Sequence, residues 1–235
     1  MLEIDNLRKS FGAKQALCGL SISVAAGNVY ALLGPNGAGK TTTINVCLGF
    51  IEPDQGKVLI GDVDPATDPM GARAQLAYIP ENVTLYGALT GFENLDYFSE
   101  LAGKRYGRQD LNAFLARAEL AEEAMSRQVK TYSKGMRQKV GVAIALAKQA
   151  RLLLLDEPTS GLDPRASHEF SILLEDLSKE GMAILMATHD LFRAREAASH
   201  IGIMVDGALK AEMRAEETTS EEIERIYLEA TKVGA

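Results

Sequence analysis

The sequence predicts an α/β fold organised on a parallel sheet, and three observations carry that prediction. Short apolar runs bounded by Gly, Asn and Asp alternate with segments of helical period, most clearly beyond residue 150. A run of four leucines at 152–155 ends in two acids, as a strand buried on both faces reads where it meets a ligand crevice. A glycine-rich segment at 34–39 stands between an apolar run and a helix start.

Taken in order, residues 2–7, 16–24, 29–33 and 57–60 are apolar or alternating runs expected as strands, with a helix at 40–49 among them. From about 89 to 149 the pattern becomes helical: Phe92, Leu95, Phe98 and Leu101, then Leu111, Phe114, Leu115 and Ala118, recur at helical spacing. Beyond it come a strand at 152–155, a helix at 164–180, a strand at 183–188, a helix at 191–199 and a strand at 201–205. Thr219 and Glu222 have the spacing of a capping box and open a helix at 219–231, on which Ile223, Ile226, Tyr227 and Ala230 share a face. A helical block at 85–149, inserted between core halves at 1–84 and 150–215 of a single domain, explains why the glycine-rich segment and the leucine run lie so far apart.

Gly34-Pro35-Asn36-Gly37-Ala38-Gly39-Lys40-Thr41 is a full phosphate-binding loop, followed by Thr42. Its glycines let the backbone wrap around phosphate oxygens while the helix start adds partial positive charge. A nucleoside triphosphate is therefore expected here, with Lys40 reaching the β and γ phosphates and the Thr41 hydroxyl on Mg²⁺. The pair Asp156-Glu157, after the leucines, needs a cation or a proton-transfer task. Asp156 suits Mg²⁺, held through water, and Glu157 suits orienting or deprotonating an attacking water.

Composition narrows the partners. A net charge of −7, from 25 basic and 32 acidic residues, argues against a general nucleic-acid binder. Lys148 and Arg151 interrupt the most apolar stretch, 140–155, so a membrane is expected to be met only through a partner. Met1-Leu2-Glu3-Ile4-Asp5 carries no apolar signal segment, and the expected location is cytoplasmic. Cys18 and Cys47 form no Cys-x-x-Cys or Cys/His cluster, which argues against a redox motif or a cysteine metal site.

Thr131-Tyr132-Ser133-Lys134-Gly135-Met136-Arg137-Gln138-Lys139, followed by Asp156-Glu157 and then Ser160-Gly161-Leu162-Asp163, resembles the ATPase subunit of an ABC transporter. The order and spacing of these motifs match along nearly the whole chain. Tyr132 to Met136 corresponds to the signature motif, usually Leu-Ser-Gly-Gly-Gln; Lys134 stands for the first Gly and Met136 for the Gln, a variant found in the ABC-2 exporter type. The resemblance implies ATP and Mg²⁺ as ligands, a phosphate-loop NTPase core with an antiparallel β subdomain, and an inserted helical subdomain. It also implies that Ser133, Lys134, Gly135 and Met136 act on the ATP of a second subunit, so that two chains sandwich two nucleotides as a homodimer.

On the same resemblance, Asp163 belongs to the loop between the two sites, and His189, in Ala187-Thr188-His189-Asp190, is the switch histidine at the γ phosphate that helps hold Glu157. Phe11 matches the aromatic residue that stacks on adenine, the alternative being an ordinary core Phe. Glu81 stands where the family has a Gln that coordinates Mg²⁺; a carboxylate can coordinate but loses the amide donor. The expected partner is a multi-spanning membrane permease, with the chain peripheral on its cytoplasmic side. Two rivals are a non-transport ABC ATPase acting on ribosomes or nucleic acid, usually with two cassettes in one chain, and a phosphate-loop kinase or GTPase, the GTPase lacking here its Asn-Lys-x-Asp motif. Import in place of export stays open, because the membrane subunit sets direction.

Overall fold

In the computed structural model, which describes residues 1–232, two sheets divide the strands. Strands β1 (Leu2–Phe11) and β2 (Lys14–Val24) form an antiparallel ladder, while β3 (Val29–Leu33) runs through the glycine-rich loop into α1 (Lys40–Cys47). Next come β4 (Gln55–Ile60), α2 (Pro69–Gln75) and β5 (Leu76–Ile79). The helices α3 (Gly91–Leu101), α4 (Arg108–Arg117), α5 (Glu122–Met125) and α6 (Lys134–Lys148) follow without a strand between them. The chain then alternates: β6 (Leu152–Asp156), α7 (Pro164–Lys179), β7 (Ala183–Thr188), α8 (Leu191–Ala197), β8 (His200–Val205), β9 (Ala208–Arg214) and α9 (Ser220–Lys232).

The small sheet has the order β2-β1-β4 and is antiparallel; the large one runs β5-β6-β7-β3-β8-β9, parallel except at β9. Strands β3, β6 and β7 are buried at every position, as expected where both faces of a parallel sheet are covered. Period-two alternation sends Val29, Ala31, Leu33, Leu153, Leu155, Ile184 and Met186 to a core shared with α3, α4 and α6 to α9. Tyr30, Leu32, Leu152, Leu154 and Leu185 face the other core, filled by α1 and the small sheet. Each fully buried leucine or isoleucine there contributes about 1.5–3 kcal/mol relative to an exposed one.

Register aligns the strand ends that matter. Leu33 sits opposite Thr188, and Asp156 opposite Ala187, so β3, β7 and β6 finish at one level. Helix α6 joins the helical segment to this sheet: it packs on α3 and α4, and its Gly141 faces Ile79 of β5.

Several elements differ from expectation. Strand β1 continues past Leu7 to Phe11, because a bulge around Asn6, whose φ is +45°, lets polar residues 8–10 keep pairing on the solvent side. Strands β2 and β4 begin two residues earlier than the apolar runs, and α1 and α8 stop two residues short of 49 and 199. Helix α2 and strands β5 and β9 were not anticipated. Leu101 ends α3 two-thirds exposed and does not join Leu95 in the core. The Thr219/Glu222 box is formed reciprocally: Thr219 N donates to Glu222 Oε2 at 2.9 Å and Glu222 N to Thr219 Oγ1 at 3.2 Å.

Candidate functional site

The loop between β3 and α1 is a tight cradle. Gly34 N donates to the Thr188 carbonyl at 3.1 Å, and a Cβ at Gly34 would run into the Met204 carbonyl and the Ala38 side chain. Gly39 has φ +110°, and a side chain there would also meet the Ala16 carbonyl. Gly39 occupies the N-cap position of α1 and supplies no side-chain cap, so N–H groups at the start of α1 stay available at the positive end of the helix.

Lys40 opens α1 and is 6% exposed. Its Nζ donates to the Gly34 carbonyl at 2.6 Å and the Pro35 carbonyl at 3.2 Å, and lies 3.5 Å from Glu157 Oε1. Glu157 lies just past the end of β6, with its N–H on the Ala187 carbonyl at 2.9 Å. Its φ of +49° is left-handed, a strain on the order of 1 kcal/mol that fixes where the carboxylate points. Oε2 accepts from the His189 backbone N–H at 3.3 Å and lies 2.9 Å from His189 Nδ1; Oε1 is buried, accepts no hydrogen bond and faces the lysine. His189 itself is half exposed at the end of β7.

Asp156 is the last residue of β6, and burial pushes its carboxyl above the usual range. A hydrogen bond with Thr41 opposes that rise, and the charges of Glu157 and Glu81 add to it. Phe11, Lys14, Ala16, residues 36–42, Glu81, Asp156 and Glu157 surround one cavity of about 350 Å³. Phe11 stands at its rim half exposed, which removes the core-Phe alternative, with Lys9 Nζ 5.7 Å from the ring centroid. Gly34 and Pro35 lie beneath the cavity and act on it through the carbonyls that hold Lys40. His189 lines an adjoining pocket, shared with Ser160, Asp190 and Arg193, which meets the first at Glu157.

The oxygen groups at hand fit a magnesium ion. Asp156 and Thr41 line the cavity together with two further carboxylates, and Mg²⁺ is usually held by one or two carboxylates with phosphates and waters completing its shell. Accordingly, among the described residues no group of three or more His, Cys, Asp or Glu side chains converges as a self-sufficient metal site.

The signature residues and Asp163 do not line this cavity. Ser133 caps α6, accepting from Met136 N at 3.2 Å, and is exposed; Gly135 is buried at the helix start near Leu162 and Ala166. Asp163 caps α7 by accepting from Ala166 N at 2.9 Å, with Pro164 as the first helical residue. Lys134 does approach the nucleotide side, with Nζ 3.4 Å from Glu81 Oε1.

The sequence assigned no role to Lys14, Ala16, Ser160 or Gln138, although the last two stand within the quoted motifs. Lys14 and Ala16 follow Phe11 around the β1–β2 turn, so an aromatic placed at the site carried a signal for them. Ser160 and the fully buried Gln138, whose Nε2 donates to the Glu81 carbonyl at 3.1 Å, act through tertiary contacts with no local signature.

Comparison with known proteins agrees with this arrangement. The ABC transporter family profile matches residues 17–160. An uncharacterized ABC transporter ATP-binding protein of Bacillus subtilis (strain 168), YdbJ, is 38% identical over 219 residues, 93% of this chain and 70% of the relative. The daunorubicin resistance ATP-binding protein DrrA3 of Streptomyces coeruleorubidus is 34% identical over 240 residues, 100% of this chain and 76% of the relative. Among solved structures, the dimeric post-hydrolysis state of the ATP-binding cassette MJ0796 bound to ADP and Pi superposes with a TM-score of 0.79 at 26% identity, over 92% of this chain and 99% of that one. With a phosphate-loop cradle, an acid pair at the end of β6 and a histidine at the end of β7 arrayed on one sheet edge, and with these relatives, the chain belongs to the ABC transporter family, among its ATP-binding subunits.

Proposed function

We propose that the chain hydrolyses ATP and thereby drives transport, in the export direction, through a separate multi-spanning membrane subunit. The observation that carries this reading is Glu157: one carboxylate oxygen is tied to His189, and the other, without a donor, faces Lys40 at the mouth of the phosphate loop. That is the disposition of a base aimed at a water beside a γ phosphate. Lys40 would exchange the Gly34 and Pro35 carbonyls for phosphate oxygens, and the N–H groups of Asn36, Gly37, Gly39, Lys40 and Thr41 would receive the remainder. Phe11 offers its exposed face to the adenine ring. Thr41 and Asp156, with Glu81 at the margin, would hold Mg²⁺, which when bound neutralises charge on the phosphates.

In this reading Ser133, Lys134, Gly135 and Met136 face outward to complete the nucleotide site of a second copy, and Asp163 lies between the two sites. The dimeric relative bound to ADP and Pi supports pairing of two chains, and the drug-resistance relative supports export. No helix among the described residues is long and apolar enough to cross a membrane, so membrane contact would go through the partner, on its cytoplasmic side. The single ATPase domain would divide into a core at 1–84 and 150–215 and a helical part at 85–149 that meets the permease, with the C-terminal helix at 219–231 docked on the core.

Lys40→Ala tests the reading. It removes the ammonium at the centre of the cradle, and phosphate release from ATP is expected to fall by about 100-fold or more while the circular dichroism spectrum stays native. An unchanged rate refutes the assignment of this loop as the ATPase site.

A further inference from the structure

Two loops and a helix start meet at one carboxylate oxygen. Glu81, two residues past β5, receives the Ser160 hydroxyl on Oε1 at 3.0 Å, and the same Oε1 lies 3.4 Å from Lys134 Nζ. Ser160 belongs to the turn after β6, three residues from Glu157; Lys134 is the first residue of α6, beside Ser133. Lys134 is only 21% exposed, and among the described residues Glu81 is the one acid within ion-pair distance of it. Gln138, one turn further along α6, grips the Glu81 backbone carbonyl, so the loop after β5 is tied to the helix start at two points. Glu81 also lines the nucleotide cavity.

We propose that Glu81 is a positioning residue whose carboxylate is shared between the Lys134 ammonium and the divalent cation of the nucleotide pocket, so that filling the pocket loosens the start of α6. The inference rests on the nucleotide-site reading above. A carboxylate oxygen drawn toward a hard cation loses charge density for the lysine, and the exposed half of the Glu81 side chain leaves it free to turn. Lys134 and Ser160 are released together. One chain's occupancy is thereby reported to the segment that chain presents outward. It also gives a shared reason for two departures from the usual motifs: an acid where Gln is common and a lysine where Gly is common are opposite charges that meet.

The test is a double-mutant cycle read as the Mg²⁺ concentration that half-saturates binding of a fluorescent ATP analogue. Glu81→Gln keeps an oxygen but removes the negative charge that draws the cation, and is expected to raise that midpoint by about threefold; Lys134→Met frees the carboxylate and is expected to lower it by about as much. The double variant is expected to match Glu81→Gln, because the lysine acts only through Glu81. A midpoint unmoved by Lys134→Met, or moved equally when Glu81 is already Gln, overturns the proposal. A second readout needs no nucleotide: acylation of the Lys134 amine, followed by peptide mass spectrometry, is expected to rise by about threefold in Glu81→Gln. Unchanged acylation overturns the pairing while leaving the ATPase reading standing. Absence of nucleotide binding at every Mg²⁺ concentration overturns both.

Discussion

Helices α1 and α6 both have a glycine at their start, Gly39 before the first and Gly135 within the second, yet the first start faces into the molecule and the second faces out. At α1 the N-cap is Gly39, without a side chain to satisfy the helix's free N–H groups, and Lys40 is buried against loop carbonyls and Glu157. At α6 the N-cap is Ser133, whose Oγ takes the Met136 N–H and satisfies the helix locally. The α1 loop is held by a parallel strand on its N-terminal side, whereas the α6 start follows a short turn and leaves Ser133 exposed. An inward start with unsatisfied donors needs an anion inside its own chain. An outward, self-capped start retains one free proton on Ser133 to donate to something outside. The contrast supports the proposal that the two starts form the two halves of a site divided between chains.

The largest effect that separates these regions is at Glu157. Glu157→Gln preserves shape but removes the proton acceptor, and hydrolysis is expected to fall by about 100- to 1000-fold with ATP affinity retained. A rate within threefold of the parent would mean that the inward half does not depend on this base. Rapid-quench phosphate release and equilibrium nucleotide binding on the same preparation decide it.

The smallest effect is on stability and comes from the same strand end. Burial raises the Asp156 carboxyl above the ordinary range, so folding favours its protonated form. Stability from this group is therefore full below the ordinary carboxylate range and is lost as pH rises through the folded value; at pH 7 the ionised group is a cost. Asp156→Asn is expected to melt about 2 °C higher at pH 7, with the gain shrinking toward pH 4. A variant that melts lower at pH 7 would show that the hydrogen bond with Thr41 outweighs burial. No such gain is expected at Ser133, where the outward region holds no buried charge to relieve.

Legibility followed the same division. The inward half was readable because each part lies in a contiguous motif attached to a strand: residues 34–41 after β3, Asp156-Glu157 after four leucines, His189 after 183–188. The parallel register that sets them side by side follows from strand alternation. Strand β9 was not readable, since Ala208–Arg214 mixes Lys, Glu and Arg into a ladder with one solvated face, and α2 is seven residues with a glycine inside it. The Glu81, Lys134 and Ser160 contact was equally hidden. Its members are up to 79 positions apart, and the pairing of β5 with β6 and the packing of α6 on β5 unite them.

The central claim is that the site is completed by a second copy through the outward start of α6, and sedimentation velocity measures it directly. Glu157→Gln with ATP is expected to sediment as a dimer. Adding Ser133→Arg, which sets a bulky cation on the outward face without touching the phosphate loop, is expected to return it to monomer with ATP affinity unchanged. A double variant that dimerises as well as Glu157→Gln alone would contradict the account.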